Sequence, residues 1–448
     1  MDMLTDNQSL GKYIAKLYKK YDTPYFGFFV ISNPVVVIKD PELIKRILIK
    51  DFDSMGDKML FNDDSYDPVF CNTLMGMNFT KWRNVRPQVT SIFTSGKMKM
   101  MLNLIKNCGK HMENYLSEMK GKTVDVNNVV DNFTANVVSS CIFGIECNCF
   151  EAHNWAYKYH GSHILPRSGL GAIKVYSYHF MHFLIKIFKF PFLTAESANF
   201  FSDVFNKTIE QRRKSGDKRN DLIDKLLDVE KAEENKAFKF DDKIMLGQAM
   251  GFFVAGYDTT TIITSLAIYE ITKNAEIQSR LRKEINDVIE RFGDLTYESL
   301  DSLTYTNMVI SETLRKYPVV NFIQRKCVKE YIIPETNLKI DVGTNIIIPN
   351  HGLHYDEKYF ENPEKFDPER FNDENKKNIN PYVYMPFSLG PRGCVGKRFA
   401  MMTVKVGLVY FLRNFKFGKS LNMKTELTFK TSQIGHTDDA IEVTCEAV

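Results

Sequence analysis

The sequence has little of what marks secreted, nucleic-acid-binding or membrane-anchored proteins. Its eight cysteines among 448 residues have no regular spacing, which argues for a reducing compartment rather than a disulfide framework. The 59 basic and 55 acidic side chains leave a net charge of only +4, too dilute for a surface that binds nucleic acid. The polar N-terminus has no apolar run long enough for a signal peptide or a membrane span. We therefore expect no nucleic-acid partner and, in the chain as given, no membrane anchor.

Apolar residues are plentiful at 44%, and their periodicity changes along the chain. Residues 26–38 alternate β-branched and aromatic side chains around an Asn-Pro pair, which predicts a β-hairpin. From residue 40 to about 320, apolar residues recur at helical spacing, which is typical of long helices. In this part, the charged stretch 215–239 is predicted to form a helix followed by a solvated loop.

Short apolar runs punctuated by Pro and Gly follow Cys327, which predicts a second sheet, and residues 417–448 again favour strands. No internal repeat or composition break marks a domain boundary. The sequence therefore predicts one mainly α domain with small sheets over residues 1–448.

The longest helix is predicted over about 242–274, with Asp241 or Asp242 as its N-cap. Between residues 244 and 268 its only charge is Asp258, so a membrane span has to be weighed. Gln248, several Thr and Ser side chains, three glycines and the central aspartate oppose that interpretation. A long helix buried in the middle of a large globule is the better prediction.

Residues 386–400 read PFSLGPRGCVGKRFA and place Cys394 in a Gly-rich loop that enters a predicted helix over 399–412. Near a helix N-terminus, the dipole and the free amides stabilise a thiolate, the form that binds metals or attacks as a nucleophile. An inert cysteine in a turn is the alternative. The pattern FxxGxRxCxG is too specific for that alternative, and it is formed by Phe387, Gly390, Arg392, Cys394 and Gly396.

With this motif the chain resembles the cytochrome P450 family of heme-thiolate monooxygenases. The resemblance implies the family's mainly α fold, with heme b (iron protoporphyrin IX) held between the long central helix and the Cys394 loop. It also implies that Cys394 is the axial ligand of the heme iron, that Phe387 packs near it, and that Gly390 and Gly396 let backbone amides approach the sulfur. A thiolate ligand donates electron density to the iron and favours cleavage of the O–O bond. Ser388 departs from the Gly of many members and predicts a minor change in loop geometry.

Residues 312–315 read ETLR, so Glu312 and Arg315 lie one turn apart, a spacing that any exposed helix can offer. The resemblance gives the pair weight, because a Tyr-Pro pair and FDPERF at 366–371 follow in the family's order. By resemblance, Glu312, Arg315 and Arg370 form a buried triad that braces the Cys394 loop. Loss of one member of such a buried ionic group should cost several kcal/mol.

Residues 82–86 read WRNVR and match the family's WxxxR. The resemblance implies that Trp82 and Arg86 face a heme propionate, with Arg325 and Arg392 as further propionate contacts. Arginine suits this role because its planar fork binds a carboxylate through two hydrogen bonds. An ordinary core aromatic is the alternative for Trp82.

Residues 255–260 read AGYDTT. A helical Thr hydroxyl usually bonds back to the carbonyl four residues earlier, and pure packing is the alternative here. By resemblance, Ala255, Gly256 and Thr259 open a local widening of the helix over the heme. Asp258 and Thr259 are then expected to relay protons to the side of the heme that binds dioxygen.

The resemblance implies a monooxygenase that inserts one atom of dioxygen into a hydrophobic small molecule. Electrons are expected from an NADPH-dependent reductase, with a cytochrome b-type protein as a further donor. The chain has no dinucleotide fingerprint, so NADPH is expected to act only through the reductase. Two rivals stay open: a heme-thiolate isomerase or dehydratase that acts on peroxides, and a non-catalytic heme binder. The presence of Asp258 and Thr259 favours the monooxygenase.

FTSGKMK at 93–99, AGYDTT and the stretch from Gly352 to Phe371 resemble microsomal members of the insect xenobiotic-metabolising clan. This implies the cytosolic face of the endoplasmic reticulum membrane, with the family's N-terminal anchor missing from this chain. MHFLIKIFKFPFL at 181–193 is predicted to be an interfacial segment or, equally, a buried core helix.

The substrate pocket is predicted to be apolar and aromatic. Its expected lining is Phe70, Met75, Phe252, Phe253, Val319, Val320, Phe322 and Ile434. Cys147 and Cys149 are discounted as a metal site, because no second Cys or His pair at zinc spacing accompanies them.

Overall fold

The structure is a computed structural model that describes residues 10–151, 154–166, 170–233, 238–334, 336–429, 435, 437 and 439–448. The α-helices in these ranges are α1 Leu10–Lys20, α2 Pro41–Lys45, α3 Phe79–Thr90, α4 Ser95–Glu118, α5 Val126–Val138, α6 Trp155–His163, α7 Leu170–Phe180, α8 His182–Phe188, α9 Ala195–Ser215, α10 Leu222–Glu233, α11 Asp242–Lys273, α12 Ala275–Phe292, α13 Tyr297–Ser302, α14 Thr304–Lys316, α15 Asn350–His354 and α16 Lys397–Leu412. The predicted mainly α fold with small sheets is confirmed.

Three small sheets accompany the helices. The strands are β1 Tyr25–Val30, β2 Asn33–Ile38, β3 Thr123–Asp125, β4 Ile323–Lys326, β5 Tyr331–Ile333, β6 Leu338–Ile340, β7 Asn345–Ile348, β8 Phe415–Lys419 and β9 Glu442–Ala447. The largest sheet has the order β1-β2-β7-β4, the second β3-β9-β8 and the third β5-β6. The predicted hairpin is confirmed as β1 paired antiparallel to β2. The sheet element predicted after Cys327 is confirmed as β5 paired with β6, whereas β7 joins the sheet of the hairpin.

Helix α11 crosses the middle of the molecule. It begins as predicted, because the Asp241 carboxylate accepts the Ile244 amide at 2.9 Å and caps the helix. A Cβ at Gly247 would lie 2.5 Å from the Asn72 backbone. Glycine at this position therefore lets the segment that contains Asn72 pack directly against α11. The described residues contain no helix long and apolar enough to cross a membrane.

Two apolar clusters meet along α11. Its first half, including Ile244, Met250 and Tyr257, packs into a cluster with residues of α3, α9 and α10. Its second half, including Ile262 and Ile271, packs with residues of α4, α5, α12, α14 and α16. Burial of aliphatic and aromatic side chains on every face explains why this helix lacks an amphipathic pattern. The junction of the two clusters falls at residues 255–260.

Some boundaries differ from the sequence prediction. Helix α16 begins at Lys397 rather than at Phe399, and the C-terminal region has strands only at β8 and β9 among its described residues. Helix α10 over 222–233 confirms the helix expected within 215–239. Cys147 and Cys149 are buried, and no metal-binding group of three or more His, Cys, Asp or Glu residues occurs in the described part of the chain.

Candidate active site

The Cys394 loop is a tight turn in front of α16. The Cys394 amide donates to the Phe387 carbonyl at 2.8 Å, and the Gly393 amide donates to the Gly390 carbonyl at 2.9 Å. Gly390 has φ +71°, and a Cβ there would lie 1.9 Å from the Leu48 carbonyl oxygen. Only glycine fits both the left-handed backbone and the contact. The loop is therefore held in one conformation.

The loop forms one wall of a cavity of about 500 Å³. Phe387, Cys394 and Gly396 line this wall, and Ala255, Gly256 and Thr259 of α11 line another. Cys394 is exposed, whereas the other seven cysteines are buried. Because Cys394 lines the cavity, its thiol is exposed to the cavity interior.

Two opposing effects act on the pKa of the Cys394 thiol. Burial raises the pKa, and the Gly396 amide together with Arg86 and Lys58 lowers it, with burial dominant. The sequence-based expectation that backbone amides near the helix N-terminus favour the thiolate agrees in direction with the effect of the Gly396 amide, but burial outweighs that effect in the protein without a metal. A bound metal cation would remove the proton, since a coordinating thiol is deprotonated.

Four cationic side chains line the same cavity: Lys58, Arg86, Arg325 and Arg392. Arg86 donates to the Gly393 carbonyl at 2.8 Å. Arg392 donates from Nε to the Gly56 carbonyl at 3.0 Å, and its Nη2 lies 3.7 Å from the Asp57 carboxylate. Arg325 is only 2% exposed, yet its Nε and Nη2 have no hydrogen-bond partner. The cluster has more buried donors than the protein satisfies.

Burial lowers the pKa of each of these four groups. The pKa of Lys58 falls to about 7, where the like charges of Arg392 and Arg325 add to the effect of burial. The pKa of Arg392 falls to about 9 and that of Arg325 to about 10, and that of Arg86 is lowered as well. Burial lowers the pKa of these cations because it disfavours their charged form, and a nearby anion would stabilise that form. The cluster therefore fits a ligand with carboxylates.

Trp82 lies beside this cluster on α3. It is buried, and the Arg392 guanidinium lies 4.2 Å from its ring centre. This cation–π contact fixes the orientation of Arg392. The structure thus brings Trp82, Arg86, Arg325 and Arg392 together, as the sequence motif predicts.

The chain is similar to a known protein family and to several insect proteins. The family model described as Cytochrome P450 matches residues 2–444. Cytochrome P450 6j1 of Blattella germanica is 35% identical over 419 residues, which cover 93% of this chain and 83% of the relative. Probable cytochrome P450 6a13 of Drosophila melanogaster is 36% identical over 421 residues, with 93% and 84% coverage. Cytochrome P450 9e2 of Blattella germanica is 35% identical over 442 residues, with 92% and 83% coverage.

The chain belongs to the cytochrome P450 family. Members of this family are heme-dependent monooxygenases that bind heme b and receive electrons from NADPH through a reductase. The residues of this chain fit that cofactor. A cysteine thiol faces the cavity, and the unpaired donors of Arg325 lie with three other cations on the lining of the same cavity, a donor set that suits two propionates.

The predicted triad of this cytochrome P450 has two buried members and one half-buried member. Arg315 donates to both Glu312 oxygens at 2.7 and 2.8 Å, and both side chains are 0% exposed. Arg370 Nε lies 3.4 Å from Glu312 Oε1 and its Nη2 donates to the Asn362 carbonyl. Arg370 is therefore a weaker partner than the pair itself.

The triad contacts a different segment from the one expected. Arg315 donates to the carbonyls of His354 at 3.1 Å and Pro363 at 2.8 Å. The Asp367 amide donates to Glu312 at 2.9 Å. These bonds hold the irregular chain over 354–367, and the brace on the Cys394 loop that the resemblance implies stays a prediction.

The expected widening of α11 is not present as a π turn, because the helix is α-helical over Asp242–Lys273. Thr259 Oγ1 donates to the Ala255 carbonyl at 2.5 Å, the bond that the packing alternative predicts. Thr259 and Thr260 line the cavity, whereas Asp258 is buried in α11 outside the lining. Thr260 Oγ1 is buried without a hydrogen-bond partner. The structure thus places Thr259 and Thr260, but not Asp258, on the cavity wall.

Most of the predicted pocket residues line the cavity. They are Phe70, Met75, Phe252, Val319, Val320 and Phe322. The prediction for Phe253 is wrong, because its ring is buried against Phe201 at 4.0 Å between centres. Ile434 lies outside the described residues. Lys58 is a cavity residue that the sequence prediction missed, since an isolated lysine in a loop matches no motif.

Proposed function

We propose that this cytochrome P450 inserts one atom of dioxygen into a hydrophobic small molecule with electrons from an NADPH-dependent reductase. The observation that carries the proposal is the cavity that contains the Cys394 thiol, a cluster of unsatisfied cations and an apolar remainder. A cytochrome b-type protein is proposed as a second electron donor. Residues 1–448 are proposed to act as one catalytic domain.

Each group of residues has a separate task in this proposal. Cys394 would bind the heme iron, and Trp82, Arg86, Arg325 and Arg392 would hold the propionates. Bound heme supplies the activation of dioxygen, which the thiolate ligand promotes. Phe387 and the glycines Gly390 and Gly396 keep the thiol in place. Thr259 holds a proton-donating hydroxyl on the opposite wall, and Asp258 is proposed to supply protons to it from the buried side of α11.

The cavity lining favours apolar substrates. Its surface is contributed mainly by Phe, Leu, Val and Met side chains, which recognise shape rather than charge. Such a pocket suits the hydrophobic compounds of xenobiotic metabolism. A biosynthetic substrate of similar polarity would fit the same description.

An exposed apolar surface supports a location on the endoplasmic reticulum membrane, at its cytosolic face. Phe183, Ile187 and Phe188 of α8 are 58%, 65% and 67% exposed. Ile185, Phe192 and Leu193 of the same segment are buried, so each alternative for 181–193 holds for part of it. Phe29 near the end of β1 and Ile31 in the β1–β2 turn are 72% and 68% exposed. Asn33 next to that turn donates to the Phe180 carbonyl at 2.9 Å, so the two apolar patches are adjacent. Phe, Ile and neighbouring lysines are typical of interfacial contact with lipid.

Carbon monoxide binding to the reduced protein tests the heme-thiolate site. We expect the red-shifted Soret band of thiolate-ligated heme in the wild type and its loss in Cys394→Ser. Cys445→Ser is the matched control, because Cys445 is buried in β9 and does not line the cavity. A wild-type spectrum without the red-shifted band would refute the proposal. Product formed from a hydroperoxide alone, and none with dioxygen and reductase, would favour an isomerase or dehydratase.

Thr259→Ala tests the hydroxyl on the opposite wall. We expect NADPH oxidation to continue while product falls and hydrogen peroxide rises, because proton delivery is lost and heme binding is kept. Thr261→Ala is the control, since Thr261 lies on α11 but not on the cavity wall. Equal product per NADPH in the Thr259→Ala variant and the wild type would refute this role.

A further inference from the structure

Phe70 and Phe192 line a part of the cavity wall that we call the roof. Behind it lies a buried carboxylate, Asp67, that belongs to no sequence motif. Asp67 is 2% exposed and lies in the irregular chain before α3. Its Oδ2 accepts the Tyr178 hydroxyl at 2.6 Å and the Phe192 amide at 2.8 Å. Its Oδ1 accepts the Phe70 amide at 3.0 Å. All three donors are neutral, so hydrogen bonds alone hold this carboxylate in place.

The three donors come from three separate segments. Phe70 follows Asp67 in the chain before α3, Tyr178 is near the end of α7, and Phe192 lies between α8 and α9. The Phe61 amide adds a fourth tie by donating to the Tyr178 carbonyl at 2.7 Å. No secondary-structure ladder joins these segments, so Asp67 is the polar centre at which they meet.

The aromatic rings of the same residues pack around the carboxylate. Phe70 and Phe192 stack with ring centres 4.1 Å apart, and Tyr178 lies edge-on to Phe70 at 5.4 Å and to Phe192 at 5.0 Å. Phe70 and Phe192 line the cavity, whereas Tyr178 does not. The carboxylate thus sits behind two rings that face the substrate space.

We propose that Asp67 is a positioning residue that sets the shape of the cavity roof and thereby the size of substrate that the enzyme accepts. The inference rests on the proposed function, in that the cavity receives the substrate. Asp67 does not touch substrate in this arrangement. It acts through Phe70 and Phe192, whose backbone amides it fixes relative to one another.

Two variants weaken the arrangement to different degrees. Asp67→Asn replaces one acceptor oxygen by an NH₂ donor, so at least one of the three donors is left facing another donor. Tyr178→Phe removes a single hydroxyl and keeps the ring that packs on Phe70 and Phe192. The first variant should therefore loosen the roof more than the second.

The chain offers a matched control pair. The Tyr18 hydroxyl donates to Asp356 Oδ2 at 2.5 Å, which is the same kind of bond, and neither residue lines the cavity. Asp356→Asn and Tyr18→Phe should lower stability in a similar way without changing the cavity. They separate a loss of general stability from a change in the roof.

The experiment uses the heme-loaded protein and follows the heme spin state during titration with two apolar ligands, naphthalene as the small one and pyrene as the large one. We expect Asp67→Asn to change the ratio of the two dissociation constants about tenfold in favour of pyrene, since the loss of a hydrogen bond to a charged group has an effect of that order. Tyr178→Phe should change the ratio in the same direction by less, and both controls should keep the wild-type ratio. Carbon monoxide should also bind faster to reduced Asp67→Asn than to the wild type.

An unchanged ratio in Asp67→Asn and Tyr178→Phe, with melting temperatures lowered as in the controls, would overturn the inference and leave Asp67 as a stabilising residue only. Should Asp67→Asn fail to fold, the ratio in Tyr178→Phe decides alone. The carbon monoxide spectrum is recorded for every protein. A wild type without a thiolate band refutes the proposed function, whereas a normal band with an unchanged ratio refutes the role of Asp67 alone.

Discussion

Two buried arginines of this cytochrome P450 differ in how their charge is satisfied. Arg315 is 0% exposed and uses its donors on Glu312 and on the carbonyls of His354 and Pro363. Arg325 is 2% exposed and has one hydrogen bond, to the Gln324 carbonyl at 2.7 Å, while two of its nitrogens have none. The donors of Arg315 are satisfied within the protein. Arg325 lines the cavity and has two nitrogens without a protein acceptor.

This difference separates structural charge from ligand-binding charge. A buried cation with all its donors paired stabilises the segment that pairs with it. A buried cation with free donors destabilises the protein until a ligand supplies the acceptors. The two sites are therefore expected to respond in opposite ways to removal of the guanidinium.

The largest effect is expected for Arg315→Ala. This change leaves the Glu312 carboxylate buried without its main partner, so the free energy of unfolding should fall by about 3–5 kcal/mol. Urea denaturation and the yield of heme-loaded protein measure the effect. The double variant Glu312→Met/Arg315→Met should recover part of the loss, because the fully buried carboxylate is removed with its partner and only the half-buried Arg370 loses an ion pair. Normal stability in Arg315→Ala would show that the pair is not a structural centre.

Arg325→Met should separate the heme-free from the heme-loaded protein. Without heme, the free energy of unfolding should rise by about 1–2 kcal/mol, because an underpaired buried cation is removed. With heme, the cofactor should be retained about tenfold less tightly, because one propionate partner is lost. Heme transfer to apomyoglobin measures retention, and Arg280→Met at an exposed ion pair is the control. If heme-free Arg325→Met were less stable than the heme-free wild type, Arg325 would stabilise the fold, as Arg315 does, and the prediction would be wrong.

The pH dependence of the free energy of unfolding should report on the fully paired Arg315 site, because His354 is hydrogen-bonded to Arg315. Burial lowers the pKa of His354 from 6.5 to about 3, while its Nδ1 bonds to the Arg315 carbonyl at 3.0 Å. A lowered pKa means that the unfolded chain binds the proton more readily, so this contribution to stability is present above pH 6.5 and is lost as the pH falls towards 3.

Between pH 5.5 and 4.5 this loss should be about 1.4 kcal/mol in the wild type. Denaturation at the two pH values should show a smaller loss by this amount in His354→Asn. Identical pH dependence in His354→Asn and the wild type would contradict the assignment.

The smallest effect is expected for Ser388→Gly, next to the open cluster. Ser388 has φ +57°, a left-handed conformation that is unfavourable for a residue with a Cβ. Its hydroxyl is also buried without a hydrogen-bond partner. Glycine at this position should therefore raise the free energy of unfolding by about 1 kcal/mol. Ser202→Gly in α9 should have the opposite sign, and a destabilised Ser388→Gly variant would contradict the interpretation.

Local patterns predicted the elements that local rules determine. The alternating apolar stretch over 26–38 predicted the β1–β2 hairpin, although Asn33 and Pro34 lie in β2 and the turn is at residues 31–32. Asp241 ahead of an apolar run predicted the start of α11. The sequence analysis predicted only a minor change in loop geometry at Ser388 and did not foresee its left-handed backbone. Phe253 was assigned to the wrong face, because adjacent residues on a helix point about 100° apart and Phe252 occupies the cavity side.

Other site residues depend on contacts between distant segments. The bonds of Asp67 to Tyr178 and Phe192 span 111 and 125 residues, and no spacing in the sequence signals them. Lys58 becomes a site residue only because the cavity brings it near Arg86, Arg325 and Arg392. The carbonyl partners of Arg315 over 354–365 were missed for the same reason, since backbone carbonyls have no sequence signature.

The reactivity of the exposed Cys394 thiol can be used to measure how much of the protein contains the cofactor. Seven of the eight cysteines are buried, so an alkylating reagent added to the folded, heme-free protein meets one accessible sulfur. Bound heme would occupy that sulfur and block the reaction. The fraction of molecules that gain a single label, read by intact mass, is therefore the fraction that lacks heme, and it can be measured without any substrate or reductase.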